Sequence, residues 1–325
     1  MSNANLNKAA VSAYSRKPFG YRLVTEFKRD WQLHLLMLVP VLYIIIFSYV
    51  PMYGVQIAFK DYRIAAGIFG SEWVGMKWFV KFLTGFDCFM IIKNTLVISL
   101  YSMIAGFPLP ILFALVGNAL PCKRYVKFTQ IISYLPHFLS TVILVSIVNM
   151  VLNPMTGLYG NLYRLLGGIG YPVDVRSTAA SFRHVYVWSG VWQGLGWGSI
   201  IYTAALTNVS LELHDAAIID GATRWQRIWT IDFPCILPTA AMLLILNFGS
   251  IMSVGFEKVF LLQTDLNMST SEVIQTYIYN KTMNDPRDFS FGSAIGLFQS
   301  AVSCILMMLV NGITKKLSDG EIAMF

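Results

Sequence analysis

Leu33-His34-Leu35-Leu36-Met37-Leu38-Val39-Pro40-Val41-Leu42-Tyr43-Ile44-Ile45-Ile46-Phe47 opens a stretch that runs to Phe59 without an Asp, Glu, Lys or Arg. A helix needs about 20 predominantly apolar residues to cross the hydrocarbon core of a bilayer, so this run is long enough to span one. Its residues do not alternate between apolar and polar, as a transmembrane strand requires. The run follows a polar tail, residues 1–30, and is longer than a signal-peptide core of about 7–15 residues. It reads as a retained membrane helix, 31–60.

Five further blocks free of acidic and basic residues follow, at 94–122, 128–163, 185–211, 235–256 and 289–314. The block at 128–163 is too long for one helix, and Asn153-Pro154 with Gly157 and Gly160 ends its span near Leu152. The expected fold is all-α: a polytopic integral membrane protein with six transmembrane helices. Composition agrees. The 325 residues are 56% hydrophobic and 13% charged, and a soluble domain carries about 25% charged residues. Cys88, Cys122, Cys235 and Cys304 lie far apart with no CxxC, which excludes a disulfide scaffold and leaves them as small apolar residues. The net charge of +7 comes from basic residues spread over every inter-block segment, so nucleic-acid binding is excluded in favour of lipid headgroups.

Lys8, Arg16, Lys17, Arg22, Lys28 and Arg29 precede the first block, and Lys123, Arg124 and Lys127 lie between the second and third. The positive-inside rule places both clusters in the cytoplasm. Both termini (1–30 and 317–325), the 117–127 loop and the 209–234 segment then face inward. Segments 61–88, 153–183 and 263–288 face outward, and residues 89–316 hold a five-helix core.

The span centres carry essentially no ionisable residue. Glu257 and Lys258 stand at the outer end of the fifth span, as interfacial anchors or as a buried relay. His34, His137, His184 and His214 show no metal-ligand spacing, so no metal site is expected. The fourth span carries Gly190, Gly194 and Gly198, a small-residue stripe suited to close helix packing. Around it stand Trp188, Trp192, Gln193, Trp197 and Tyr202, with Asn149 and Asn247 on neighbouring spans. These residues read either as interfacial aromatics or as the lining of a pathway for sugar rings, whose apolar faces stack and whose hydroxyls hydrogen-bond.

Between the fourth and fifth spans runs Glu212-Leu213-His214-Asp215-Ala216-Ala217-Ile218-Ile219-Asp220-Gly221-Ala222-Thr223-Arg224-Trp225-Gln226-Arg227-Ile228-Trp229-Thr230-Ile231-Asp232-Phe233-Pro234. Leu213, Ala216, Ala217 and Asp220 have helical spacing that Gly221 ends. A second helix is expected from Thr223 to Ile231, stopped by Pro234. The product is a helix–Gly–helix knob with exposed aromatics, a surface for another protein.

Asp215-Ala216-Ala217-x3-Gly221-x9-Ile231-x-Phe233-Pro234 resembles the EAA loop of binding-protein-dependent ABC importer permeases, the family that includes the maltose permeases. Asp215 replaces the usual Glu and Phe233 the usual Leu. Tyr49-Val50-Pro51-Met52-Tyr53-Gly54, Tyr134-Leu135-Pro136-His137-Phe138 and Trp197-Gly198-Ser199-Ile200-Ile201-Tyr202 are similar to its oligosaccharide and polysaccharide branch, and the likeness runs from Trp31 to Lys316. The resemblance implies the type I ABC importer permease fold in a bacterial inner membrane, and a non-catalytic subunit. It further implies a second homologous permease, two ATPase subunits that hold ATP and magnesium, and an external solute-binding protein. Asp215, Ala216, Ala217, Asp220, Gly221, Ala222, Arg224 and Pro234 would then form the ATPase contact, with Gly221 as its bend. Trp73, Trp78 and Phe79 would meet the binding protein or anchor at the interface. This chain has no GxxxxGK[ST] loop and no Gly-Lys dipeptide with which to cradle phosphates, so no cofactor of its own is expected. The alternatives, an ion-coupled secondary transporter or a membrane-embedded polysaccharide enzyme, would need midplane carboxylates or a catalytic cluster. The cargo could be an acidic polysaccharide such as alginate or a neutral oligosaccharide.

Overall fold

A computed structural model of the chain describes residues 28–284 and 288–317. The tail residues Lys8, Arg16, Lys17 and Arg22, and the segment 318–325, lie outside the described residues. In chain order the principal helices are α1 (Trp31–Phe59), α2 (Cys88–Ala119), α3 (Lys123–Tyr134), α4 (Thr141–Val151), α5 (Ala179–Leu206), α6 (Leu211–Ile219), α7 (Arg224–Gly249), α8 (Phe256–Leu262) and α9 (Phe289–Lys316). Among the described residues, strand is confined to one short antiparallel pair, Lys60–Asp61 with Glu72–Trp73.

Helices α1, α2, α7 and α9 are each long and apolar enough to cross a bilayer, and α3 with α4 forms a fifth such stretch bent by 105°. Helix α5, expected as the fourth of six spans, is 28 residues long, but its Gly, Ser, Trp and Tyr content leaves it short of the same apolarity. The described helices thus give four spans by length and composition, five with the bent pair, against the six expected.

Two local expectations are corrected. The third apolar block was read as one continuous span to Leu152, but its helix gives way at Leu135–Phe138 to a tighter turn and restarts at Thr141. Pro136 cannot donate to the helical ladder. Leu139 and Ser140 are extended, and the Ser140 hydroxyl accepts from the Ile143 N–H at 3.4 Å to cap the new helix. Nor does Pro234 stop the second knob helix, because residues Ile228–Asp232 form a wide π turn whose Phe233 N–H reaches the Ile228 carbonyl. That extra residue per turn makes room for the Pro234 ring, and α7 continues to Gly249. The same device precedes Pro51, where the Val50 N–H bonds the Ile45 carbonyl.

Three buried clusters hold the helices together. Ala58 at the end of α1 packs with Ile91 of α2, Met252, and Ile295 of α9. A second cluster joins Ile111 and Leu115 of α2, Tyr202 and Leu206 of α5, and Ile228 and Ile236 of α7. The third joins Ile98, Val145, Phe182, Val254, Val259 and Leu262. The apolar body of α1 is exposed along its length, as suits a surface that lipid or another apolar chain must cover.

Candidate functional site

The knob is built by capping. Ser210 accepts from the Glu212 N–H at 3.2 Å and starts α6. At its end Gly221 takes φ +79°, its N–H bonds the Ile218 carbonyl at 3.0 Å, and the Ala222 N–H bonds the Ala217 carbonyl at 2.8 Å. This is a Schellman ending, which requires a left-handed residue where Gly221 stands. Thr223 then caps α7 reciprocally: the Gln226 N–H donates to its hydroxyl at 3.3 Å, and its own N–H donates to Gln226 Oε1 at 2.7 Å. The chain reverses between two fixed helix ends.

Asp215, Ala216, Asp220, Gly221, Arg224 and Pro234 are exposed, and Ala217 and Ala222 are half-buried. Ile219 is 86% exposed and Trp225 64%, with Leu213, Ile218 and Trp229 open beside them. An exposed apolar patch of this kind, rimmed by charge, is a surface suited to contact with another protein or with a membrane.

Beneath the knob, sequence reading missed its anchor. Asp232, 2% exposed, accepts from Asn118 Nδ2 at 3.3 Å and meets His214 Nε2 at 3.2 Å. One carboxylate ties α6, α7 and the C-terminal end of α2 together. A cavity of about 420 Å³ lies here, lined in part by Lys123, Asp215, Arg224 and Arg227. His214 and Asp232 stand on separate helices with the Gly221 reversal between them, so no single helical period points to this pair.

A second cavity, of about 560 Å³, opens between α2, α5, α7 and the 250–255 turn. Ser99, Ser102, Trp197, Tyr202, Asn247, Ser250 and Ser253 contribute to its wall, and no Asp, Glu, Lys or Arg among the described residues does. The Ser102 hydroxyl is buried without a hydrogen-bond partner among them, so it is free to bond a ligand. Trp197 stacks on His137, ring centres 4.4 Å apart and 3° from parallel, which holds the indole in place. The serines at i, i+3 on α2, and again after α7, were the sequence signal for this wall.

Of the seven residues expected to line a sugar pathway, Trp197, Tyr202 and Asn247 meet in this cavity. Trp188 and Trp192 face a separate apolar cavity of about 580 Å³ with Tyr159 and Leu152. Gln193 donates to the Leu139 carbonyl at 3.1 Å and holds the α3–α4 break against α5. Asn149 is half-buried in α4, its carbonyl accepting from Arg176 at 3.4 Å. On α5, a β-carbon at Gly190 would lie 3.0 Å from Lys258 Nζ and one at Gly198 3.3 Å from the Pro110 ring, while Gly194 faces open space. Close backbone approach falls instead at Gly196, where a β-carbon would collide with the Ser133 carbonyl. No three His, Cys, Asp or Glu side chains converge among the described residues.

Lys258 on α8 is 9% exposed. Its Nζ donates to the Tyr186 carbonyl at 2.7 Å and lies 4.6 Å from the centre of the Tyr186 ring. Burial pushes its pKa down from the ordinary 10.5 to about 8. At the same end of α5, Arg183 donates to Asn94 Oδ1 at 2.8 Å, and Asn94 Nδ2 donates to the Ser269 and Glu272 carbonyls.

Residues 106–317 match the family described as binding-protein-dependent transport system inner membrane component. The polygalacturonan/rhamnogalacturonan transport system permease protein YteP of Bacillus subtilis (strain 168) is 38% identical over 320 residues, 98% of this chain and 99% of its own length. Protein LplB of the same organism is 39% identical over 297 residues, 91% of this chain and 92% of its own. A chain in the crystal structure of a bacterial alginate ABC transporter, in complex with alginate pentasaccharide-bound periplasmic protein, superposes with a TM-score of 0.83. It is 36% identical and covers 93% of this chain and 99% of that one.

Proposed function

Because the chain belongs to the family of binding-protein-dependent transport system inner membrane components, we propose that it is one permease half of an ATP-driven importer of uronate-containing oligosaccharides. The observation that carries this reading is that one chain holds both a charge-free cavity, walled by hydroxyls and an indole, and a capped, exposed helix–Gly–helix knob. The polygalacturonan and alginate named for the relatives support an acidic cargo. Both termini and the knob lie in the cytoplasm in this reading, and an external binding protein delivers cargo to the outward segments.

The permease is a transport component and not a catalytic one; nucleotide and magnesium bind to two ATPase partners. Each ATPase takes a knob in a surface groove, with Ile218, Ile219 and Trp225 as apolar contacts and Asp215 as the charged one. When the ATPases close, the knob moves as a unit because its caps fix the reversal and the Asp232 contacts bind it to α2 and α7. The cluster of Ile111, Tyr202 and Ile236 passes that displacement to the helices that wall the cavity, a rigid-body change of access. A second permease chain completes the pathway.

Cross-linking tests the contact. A cysteine introduced as Ile219→Cys should form a disulfide with a cysteine in the ATPase groove, and the bond should abolish cargo-stimulated ATP hydrolysis until it is reduced. Equal cross-linking from Val80→Cys, on the expected outer side, would refute the assignment.

A further inference from the structure

Lys258 is a cation without a carboxylate. Among the described residues no Asp or Glu oxygen comes within 4 Å of its Nζ, and its contacts are the Tyr186 carbonyl and ring. An ammonium buried this way is held at a cost. What distinguishes its position is the wall behind which it sits. Tyr186 and Gly255 both line the 560 Å³ cavity, and a β-carbon at Gly255 would lie 3.4 Å from the Tyr186 hydroxyl. The ammonium is therefore one aromatic ring behind a cavity surface that carries no fixed charge. Glu257, its neighbour in sequence, is exposed, where solvent screens its field. Arg183 is already bonded to Asn94.

We propose that Lys258 is a specificity-determining residue of the transport pathway: its buried ammonium gives the cavity a positive potential that favours a saccharide carboxylate over an uncharged ring substituent. This rests on the reading of the cavity as part of an oligosaccharide path. The physical scale follows from Coulomb's law. A unit charge about 10 Å from a carboxylate, at an effective dielectric of about 20, changes its occupancy by roughly tenfold. Placing the charge behind a ring, with no direct ion pair, suits a pathway that must release its cargo. Each carboxylate is attracted as it passes, and none is held by a salt bridge.

The test uses the complete transporter with its own binding protein in proteoliposomes, and compares uptake of trigalacturonate with that of its fully methyl-esterified form. The acid-to-ester ratio of kcat/KM is the readout, because the binding protein is common to all variants. Lys258→Met should lower that ratio about tenfold, and Lys258→Arg should keep it. Lys258→Gln, which retains a donor for the Tyr186 carbonyl, should behave as Met does and so guards against a packing effect of the thioether. An unchanged ratio in both neutral variants overturns the assignment to Lys258 while leaving the acidic cargo standing. A parallel fall in both substrates also overturns it, because that is the signature of a structural lysine. A wild-type ratio near one overturns the acidic-cargo reading itself.

Discussion

Replacing Gly221 by alanine isolates the reversal at the heart of the knob. The residue sits at φ +79°, and a β-carbon there meets no atom within 4 Å. The penalty is therefore conformational, with no collision to relieve: about 1–2 kcal/mol for holding an L-residue in the left-handed region. If the ATPase groove accepts only the reversed knob, the ratio of reversed to open knob falls by about fivefold to thirtyfold. Cargo-stimulated ATP hydrolysis by the reconstituted complex should fall at subsaturating ATPase, while the unfolding temperature of the permease changes little because local opening of the knob relieves the strain outside the buried helix clusters. Gly221→Asn should recover much of the loss, since asparagine tolerates this backbone. Gly221→Asp should do worse than asparagine, because it adds a carboxylate at the negative end of α6 and beside Asp220. Wild-type stimulation by Gly221→Ala at limiting ATPase would mean that the bend carries no docking geometry.

Removing the buried carboxylate with Asp232→Ala leaves Asn118 and His214 without their acceptor; a loss of about 1–3 kcal/mol is expected, read as a lower unfolding temperature and faster proteolysis within 211–219. On α5, Gly196→Ala should cost about 1–3 kcal/mol through overpacking against the Ser133 carbonyl. Gly194→Ala, into open space, should be neutral or stabilising in the isolated subunit, and thermal unfolding of the two variants side by side decides the point. Lys258 makes stability depend on pH: between about 8, its folded value, and the ordinary 10.5, the unfolded chain binds a proton that the folded chain lacks. Stability from this group therefore rises with pH across that window, by about 3 kcal/mol in all. Lys258→Met should flatten the rise and be no less stable than wild type at pH 7.

The apolar blocks and the knob were legible because each depends on local chemistry. An uninterrupted apolar run has one stable home, and Gly221 followed by Thr223 marks a helix stop and a helix start. Legibility failed where a helix accommodates what should break it, or breaks inside an apolar run. The π turn before Pro234 leaves no mark in composition, and the 105° break at Pro136 lies within residues that hydropathy alone would join. The paired contacts were equally silent: Lys258 meets Tyr186 across 72 positions, and Asn118 meets Asp232 across 114. The cavity was legible only in part: Trp197, Tyr202 and Asn247 are expected on a sugar path, while its paired serines, from α2 and from the turn after α7, meet only when the helices pack.

If the free energy for transport enters through the 209–234 knob, it is supplied by nucleotide-hydrolysing partners. Proteoliposomes holding the permease pair, with the binding protein and labelled trigalacturonate outside and ATP inside, measure this directly. Accumulation against a gradient is expected only when the ATPase subunits are present, and is expected to cease when they are stripped from the vesicles. Accumulation that persists after stripping would contradict the account.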